Sequence, residues 1–164
     1  MKNILILNTG GTFSKVYNEL NGKLVVPKCN KPIKSIIKHT KLSSITIKGL
    51  IYKDSLDITP NDRKEIVAFI NNSNFKRIII VHGTDTINIT AQYLKDKIKD
   101  KIIILTGSMI PFSINPIEAT ANLISSYIFI KSCKKNNIYI AMHGLIKKNK
   151  RIKKNKKLGI FESL

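Results

Sequence analysis

Five short, β-branched apolar runs, at residues 4–7, 45–51, 78–81, 102–105 and 138–142, set the limits on what this chain can fold into. Bounded by turn residues, they read as strands buried on both faces. Helical stripes lie between them. Ile87, Ala91, Leu94 and Ile98 keep i, i+4, i+7 spacing, as do Ile117, Ala121, Ile124 and Ile128, so each stripe is expected to lie against a sheet. Thr59-Pro60-Asn61-Asp62 opens another helix with a capping residue and a proline in its first turn, and Ile66, Phe69 and Ile70 supply its inner face. A weaker helix follows Pro32. The alternation predicts an α/β fold: a single domain over residues 1–164, with a mostly parallel, helix-flanked sheet and right-handed crossovers. A chain of 164 residues suits one well-buried core and is short for two.

In such a sheet, ligands collect outside the carboxyl ends of the strands. Two of these ends are glycine turns rich in threonine, Asn8-Thr9-Gly10-Gly11-Thr12 and His82-Gly83-Thr84-Asp85-Thr86. Glycine lets backbone approach a ligand closely, and the hydroxyls supply nucleophiles or donors. Asp54-Ser55-Leu56-Asp57 and Thr106-Gly107-Ser108-Met109 follow two further strands, so four polar turns converge on one edge. Residues 13–31 form the only long irregular connection, placed like a lid beside that edge.

Several classes of function lack their signature. Neither GxGxxG nor GxxxxGK[ST] occurs, so no cofactor is expected, and GxSxG is absent as well. His82 and His143 sit near strand ends without a third ligand at metal-binding spacing, and Cys29 and Cys133 stand apart, so no metal site or disulfide is expected. No apolar stretch approaches the roughly 20 residues that span a bilayer. The start, Met1-Lys2-Asn3-Ile4-Leu5-Ile6-Leu7, lacks a leader's apolar core and cleavage site, which predicts a cytoplasmic protein without a membrane partner. The net charge of +19 is the compositional outlier, from 29 Lys and Arg against 10 Asp and Glu. Lysine is spread through nearly every segment and aromatics are not interleaved with it. Nucleic acid is therefore not the expected partner, and the tail at 147–157 is the only candidate patch.

Threonine chemistry remains. A threonine hydroxyl is a poor nucleophile at neutral pH and needs a base, a neighbouring charge and an oxyanion site. Thr12 follows two glycines, Gly10 and Gly11, whose amides are expected to face a developing oxyanion. Thr84 is joined to Asp85, which precedes a helix whose dipole favours the ionised carboxylate. Either turn alone reads equally well as a plain strand-to-helix connection.

Together the turns resemble a known family. Asn8-Thr9-Gly10-Gly11-Thr12 is similar to the TGGT signature of bacterial-type L-asparaginases and glutaminase-asparaginases, and His82-Gly83-Thr84-Asp85-Thr86 matches their HGTDT signature at each position. Asp54-Ser55-Leu56-Asp57 resembles the family's substrate turn, Thr106-Gly107-Ser108-Met109-Ile110-Pro111 its TGAMRP segment, and Asn122-Leu123 its Asn-Leu pair. The resemblance covers essentially the whole chain but only the first of the family's two domains, so the family's C-terminal domain is expected to be absent from 1–164.

It implies a small-molecule amino-acid amide as substrate, L-asparagine first, hydrolysed to L-aspartate and ammonia. Thr12 takes the place of the nucleophile that forms an acyl-enzyme. Thr84 matches the threonine that activates water or serves as an alternative nucleophile, and it also lies among the substrate contacts. Asp85 and Ser55 match the residues that grip the substrate's α-amino and α-carboxylate groups. The family's catalytic lysine falls on Lys154, or on Lys153 if the comparison slips by one. Tyr17 stands where the lid tyrosine is found, while Leu56 and Ile110 replace a polar residue and an arginine. By the same analogy a homo-oligomer is expected. The other reading is a non-catalytic amino-acid-binding or remnant domain that keeps the pocket without turnover.

Overall fold

The structure, a computed structural model, describes residues 3–164; Met1 and Lys2, part of the stretch read for a leader, lie outside the described residues. Six strands form the central sheet: β1 (Ile4–Gly10), β4 (Ile45–Lys53), β5 (Arg77–Val81), β6 (Ile102–Thr106), β7 (Asn137–Met142) and β8 (Leu145–Lys148), in the order β4-β1-β5-β6-β7-β8. All neighbours pair in parallel except β7 with β8. The helices α1 (Lys31–Thr40), α2 (Pro60–Asn72), α3 (Ile87–Lys97) and α4 (Pro116–Ser132) make the crossovers.

Alternation along each strand sorts the core into two layers. Leu5, Leu7, Ile78, Ile80, Ile103 and Leu105 face α2 and α3, whereas Ile4, Ile6, Ile79, Val81, Ile102 and Ile104 face α1 and α4. Both faces are therefore covered over β1, β5, β6 and β7, as their apolar runs required; β4, at the sheet's edge and carrying Lys48 and Gly49, is the exception, with only Ile51 fully buried. α2 starts with the expected cap: Thr59 Oγ1 accepts from Asp62 N, and the Asp62 carboxylate accepts from Thr59 N, with Pro60 in the first turn.

Three other local expectations change. The α4 stripe is the wrong face, because Ile117 and Ile128 are 72% and 62% exposed while Ala119, Leu123, Tyr127 and Ile130 are buried. This helix is apolar almost all round, so periodicity does not select a side. Asn122 does, because its buried amide needs partners that exist only over the sheet's edge. The connection at 13–31 is not irregular throughout, since it holds the antiparallel hairpin β2 (Val16–Asn18) and β3 (Lys23–Val25). The lysine-rich tail is ordered as β8 and a second hairpin, β9 (Ile152–Asn155) with β10 (Ile160–Ser163), anchored by buried Ile152 and Phe161.

The strand order reverses between β1 and β5, with β4 on one side and β6 on the other. In open α/β sheets that switch point leaves a crevice at the carboxyl ends. Both glycine turns stand there.

Candidate active site

The four turns touch one another. A Cβ on Gly11 would lie 2.4 Å from the Gly83 Cα and N, so the two glycine turns meet backbone to backbone. A Cβ on Gly83 would lie 2.5 Å from the Ser55 Cβ, and one on Gly107 would lie 2.3 Å from the His82 carbonyl oxygen. Hydroxyls stitch the same edge: Thr9 donates to the Val81 carbonyl at 2.8 Å and Thr106 to the Ala141 carbonyl at 2.8 Å.

Thr12 opens a short 3-10 turn after Gly11, and its hydroxyl has no hydrogen-bond partner among the described residues. The expected oxyanion donors are elsewhere engaged. Gly10 N donates to Asn8 Oδ1 at 2.9 Å and Gly11 N to the Lys53 carbonyl at 2.8 Å, so both amides hold the turn's shape. The donor left at this turn is the amide of Thr12 itself, at the amino end of the 3-10 turn.

At the other glycine turn, Lys154 reaches in from β9. Its Nζ donates to Thr84 Oγ1 at 2.9 Å and pairs with Asp85 Oδ1 at 2.8 Å, and its side chain is only 13% exposed. The hairpin's alternation explains the choice between neighbours. Lys154 shares a face with buried Ile152, while Lys153 points the other way and is exposed. Ser55 is 1% exposed; its Oγ accepts from Asp85 N at 3.2 Å and its carbonyl accepts from Thr86 Oγ1 at 2.8 Å, which sets the Asp85 backbone. Its O–H remains a donor. Thr12, Ser55, Thr84, Asp85 and Lys154 are thus carried on turns and a strand gathered at one edge. Tyr17 stands on β2 and is 61% exposed.

The hairpin of β2 and β3 borders this edge. Lys15 forms an ion pair with Asp54, next to Ser55, and both line a cleft of about 490 Å³ with Val26, Tyr52 and Leu56. Leu56 is 71% exposed. A larger cavity, about 660 Å³, opens at the opposite edge of the sheet around Phe75, Arg77 and Ile102, away from every hydroxyl described above.

His82 has a structural role in its turn. Its Nδ1–H donates to the Gly83 carbonyl at 2.8 Å, while Nε2 is buried without a partner among the described residues. Burial drives its pKa from 6.5 down to about 4, and the Arg63 charge pushes the same way. Between these values the unfolded chain binds a proton that the folded chain refuses, so acid favours unfolding. Stability should fall by about 3 kcal/mol as pH drops from 6.5 to 4. Urea unfolding across that range checks this, and His82→Asn, which keeps a donor to Gly83, should flatten the slope. Asp54 contributes only at lower pH: burial works to raise its pKa, but the Lys15 and Leu56 contacts outweigh that and hold it below 3.8.

Sequence reasoning missed what fixes the tail. Asn88 Nδ2 donates to the carbonyls of Ile152 at 2.8 Å and Asn149 at 3.2 Å, and Asn149 Nδ2 donates to Gln92 Oε1 at 2.9 Å. Asn88 and Gln92 are spaced i, i+4 on α3, a polar pair on a helix whose other face is core; that spacing was the available signal.

Fold and site together define a doubly wound α/β domain whose switch point gathers two threonine-bearing glycine turns, one of them contacted by a lysine from a following hairpin. Residues 3–163 match the family described as "Asparaginase, N-terminal", and the chain belongs to the asparaginase family. It is 29% identical to the L-asparaginase of Thermococcus kodakarensis, an alignment that takes in 98% of this chain and 51% of that protein. It is also 30% identical to a glutamyl-tRNA(Gln) amidotransferase component of Methanobrevibacter smithii, over 87% of this chain and 34% of that one. Among solved structures, the thermostable T. kodakarensis enzyme superposes with a TM-score of 0.84 at 27% identity, covering 99% of this chain and 51% of that one. A probable cytoplasmic L-asparaginase of Campylobacter jejuni gives 0.79 at 23%, which bears on the fold alone. The chain spans about half the length of the L-asparaginase it matches. No helix among the described residues is long and apolar enough to cross a membrane.

Proposed function

We propose that this chain carries the amide-cleaving machinery of an asparaginase, acting on the side-chain amide of L-asparagine to give L-aspartate and ammonia. The observation that carries the reading is the Lys154 ammonium set 2.9 Å from Thr84 Oγ1 and 2.8 Å from Asp85 Oδ1, on a turn in backbone contact with that of Thr12. A fixed cation at that distance stabilises negative charge as it develops on a hydroxyl oxygen.

In the first half-reaction Thr12 Oγ bonds to the amide carbon, and the hydroxyl proton passes to the leaving nitrogen as the C–N bond breaks and ammonia departs. The Thr12 amide faces the oxyanion of the tetrahedral intermediate. In the second, water attacks the resulting ester with Thr84 and Lys154 orienting it and relaying its proton; the C–O bond breaks and the proton returns to Thr12 Oγ. Asp85 holds the substrate ammonium, and the Ser55 O–H supports its α-carboxylate.

The test is ammonia release from asparagine and from glutamine by the purified chain beside Thr12→Ala and Thr84→Ala. Asparagine turnover that Thr12→Ala abolishes is expected. No release by the wild type, with asparagine still raising its melting temperature, would replace this reading with that of an amino-acid-binding domain.

A further inference from the structure

Lys154 can serve the site only if the hairpin of β9 and β10 is docked in one register. A slip of one residue would turn Lys153 inward instead. Phe161 is the residue opposite Lys154 in the ladder, and its N–H points away from β9 to donate to His143 Nδ1 at 3.2 Å. That bond fixes the tautomer. With Nδ1 accepting, the imidazole proton sits on Nε2, which donates to Glu118 Oε1 at 2.8 Å.

Glu118 is itself tied to the site's fourth turn, because its carboxylate accepts from Met109 N at 2.8 Å and Ile110 N at 3.0 Å. Asn122, one helical turn on, donates to the Gly107 carbonyl at 2.9 Å and accepts from His143 N at 3.0 Å. His143 holds a left-handed backbone at φ 51°, uncommon for a non-glycine residue, and its ring packs edge-on against Phe161 with centroids 6.0 Å apart. The chain of contacts runs without a gap from the turn after β6, through Glu118 and His143, to the strand paired with Lys154.

We propose that His143 is a positioning residue: seated at the end of β7 by the bond of its backbone N–H to Asn122, it docks Phe161 through Nδ1, which places the Lys154 ammonium on Thr84 and Asp85. The catalytic part of this inference rests on the reading of Lys154 given above; the docking part does not. His143 does not touch the reacting atoms.

Two substitutions separate the bonds. His143→Asn puts an amide oxygen where Nδ1 stands and tolerates the left-handed backbone, so it keeps the acceptor for Phe161 and loses the reach to Glu118. His143→Gln keeps a donor for Glu118 and loses the acceptor. His143→Gly relieves the backbone and has neither. In the full chain labelled with 15N-lysine, the Lys154 ammonium should give a proton-detected signal protected from exchange in the wild type and in His143→Asn, and lost in His143→Gln and His143→Gly. Asparagine turnover should follow the same order, with kcat down about 10²-fold in the last two, the scale of a misplacement near 1 Å. Equal signals in Asn and Gln variants overturn the proposal, as does the absence of a protected signal in the wild type. A wild type that shows the signal without releasing ammonia supports the docking and rejects the catalytic reading.

Discussion

Lys154→Met should lower ammonia release from asparagine by about two to four orders of magnitude, the contribution of a positioned proton carrier, while the fold persists. Methionine keeps an unbranched chain of similar length, so the packing of β9 beside Ile152 and Phe161 is conserved and only the charged head is removed. What goes is the link from Nζ to Thr84 Oγ1 and Asp85 Oδ1. Lys154→Arg sharpens the point. Arginine restores the charge, but its guanidinium stays protonated at any accessible pH and presents a planar fork instead of a compact head. If Lys154 relays a proton, arginine rescues little. Full rescue would show that only its charge matters, and Lys153→Met, on the exposed side of the same strand, should leave the rate near that of the wild type.

Gly11→Ala should be strongly destabilising. Gly11 has φ 78° and ψ −177°, a conformation open essentially to glycine alone, and the added Cβ would sit 2.4 Å from the Gly83 backbone. The neighbour is main chain and cannot rotate aside, so the two turns must part. A loss of roughly 3–5 kcal/mol follows from adding backbone strain to overpacking. At this chain length that lowers the melting temperature by about 10 °C. Gly159→Ala is the control. It also has positive φ, 66°, yet nothing lies within 4 Å of its Cβ, so it should cost only the roughly 1–2 kcal/mol of the left-handed backbone. Equal shifts for the two would contradict the close contact between the glycine turns.

The contrast between those glycines shows where sequence reasoning reaches and where it stops. The runs at 4–7, 78–81 and 102–105 could be assigned as doubly covered strands because continuous β-branched stretches between turn residues have few other outcomes. Their order in the sheet, and with it the contact of Gly11 with Gly83, is a property of topology that no local pattern carries. α4 misled for a physical reason: with apolar residues on every side, burial was decided by the polar Asn122, whose partners Gly107 and His143 lie 15 and 21 residues away. In the tail, composition alone does not separate Lys153 from Lys154, and only the resemblance singled one out; the alternation of β9 does separate them, turning Ile152 and Lys154 inward and Lys153 out. The oxyanion assignment failed because a glycine amide near a nucleophile is as readily a fastener as a donor, and here Asn8 and Lys53 take both.

Everything proposed for this site turns on Thr12, on the turn that meets that of Thr84 and Asp85, forming the covalent bond to the substrate. Acid-quenching the Lys154→Met variant during reaction with asparagine, then mapping its peptides by mass spectrometry, probes that bond, because a variant slow to hydrolyse the ester should accumulate it. An aspartyl ester is expected on the peptide containing Thr12, absent when Thr12→Ala is added. An ester on the peptide containing Thr84, or ammonia release that survives the loss of the Thr12 hydroxyl, would contradict Thr12 as the nucleophile.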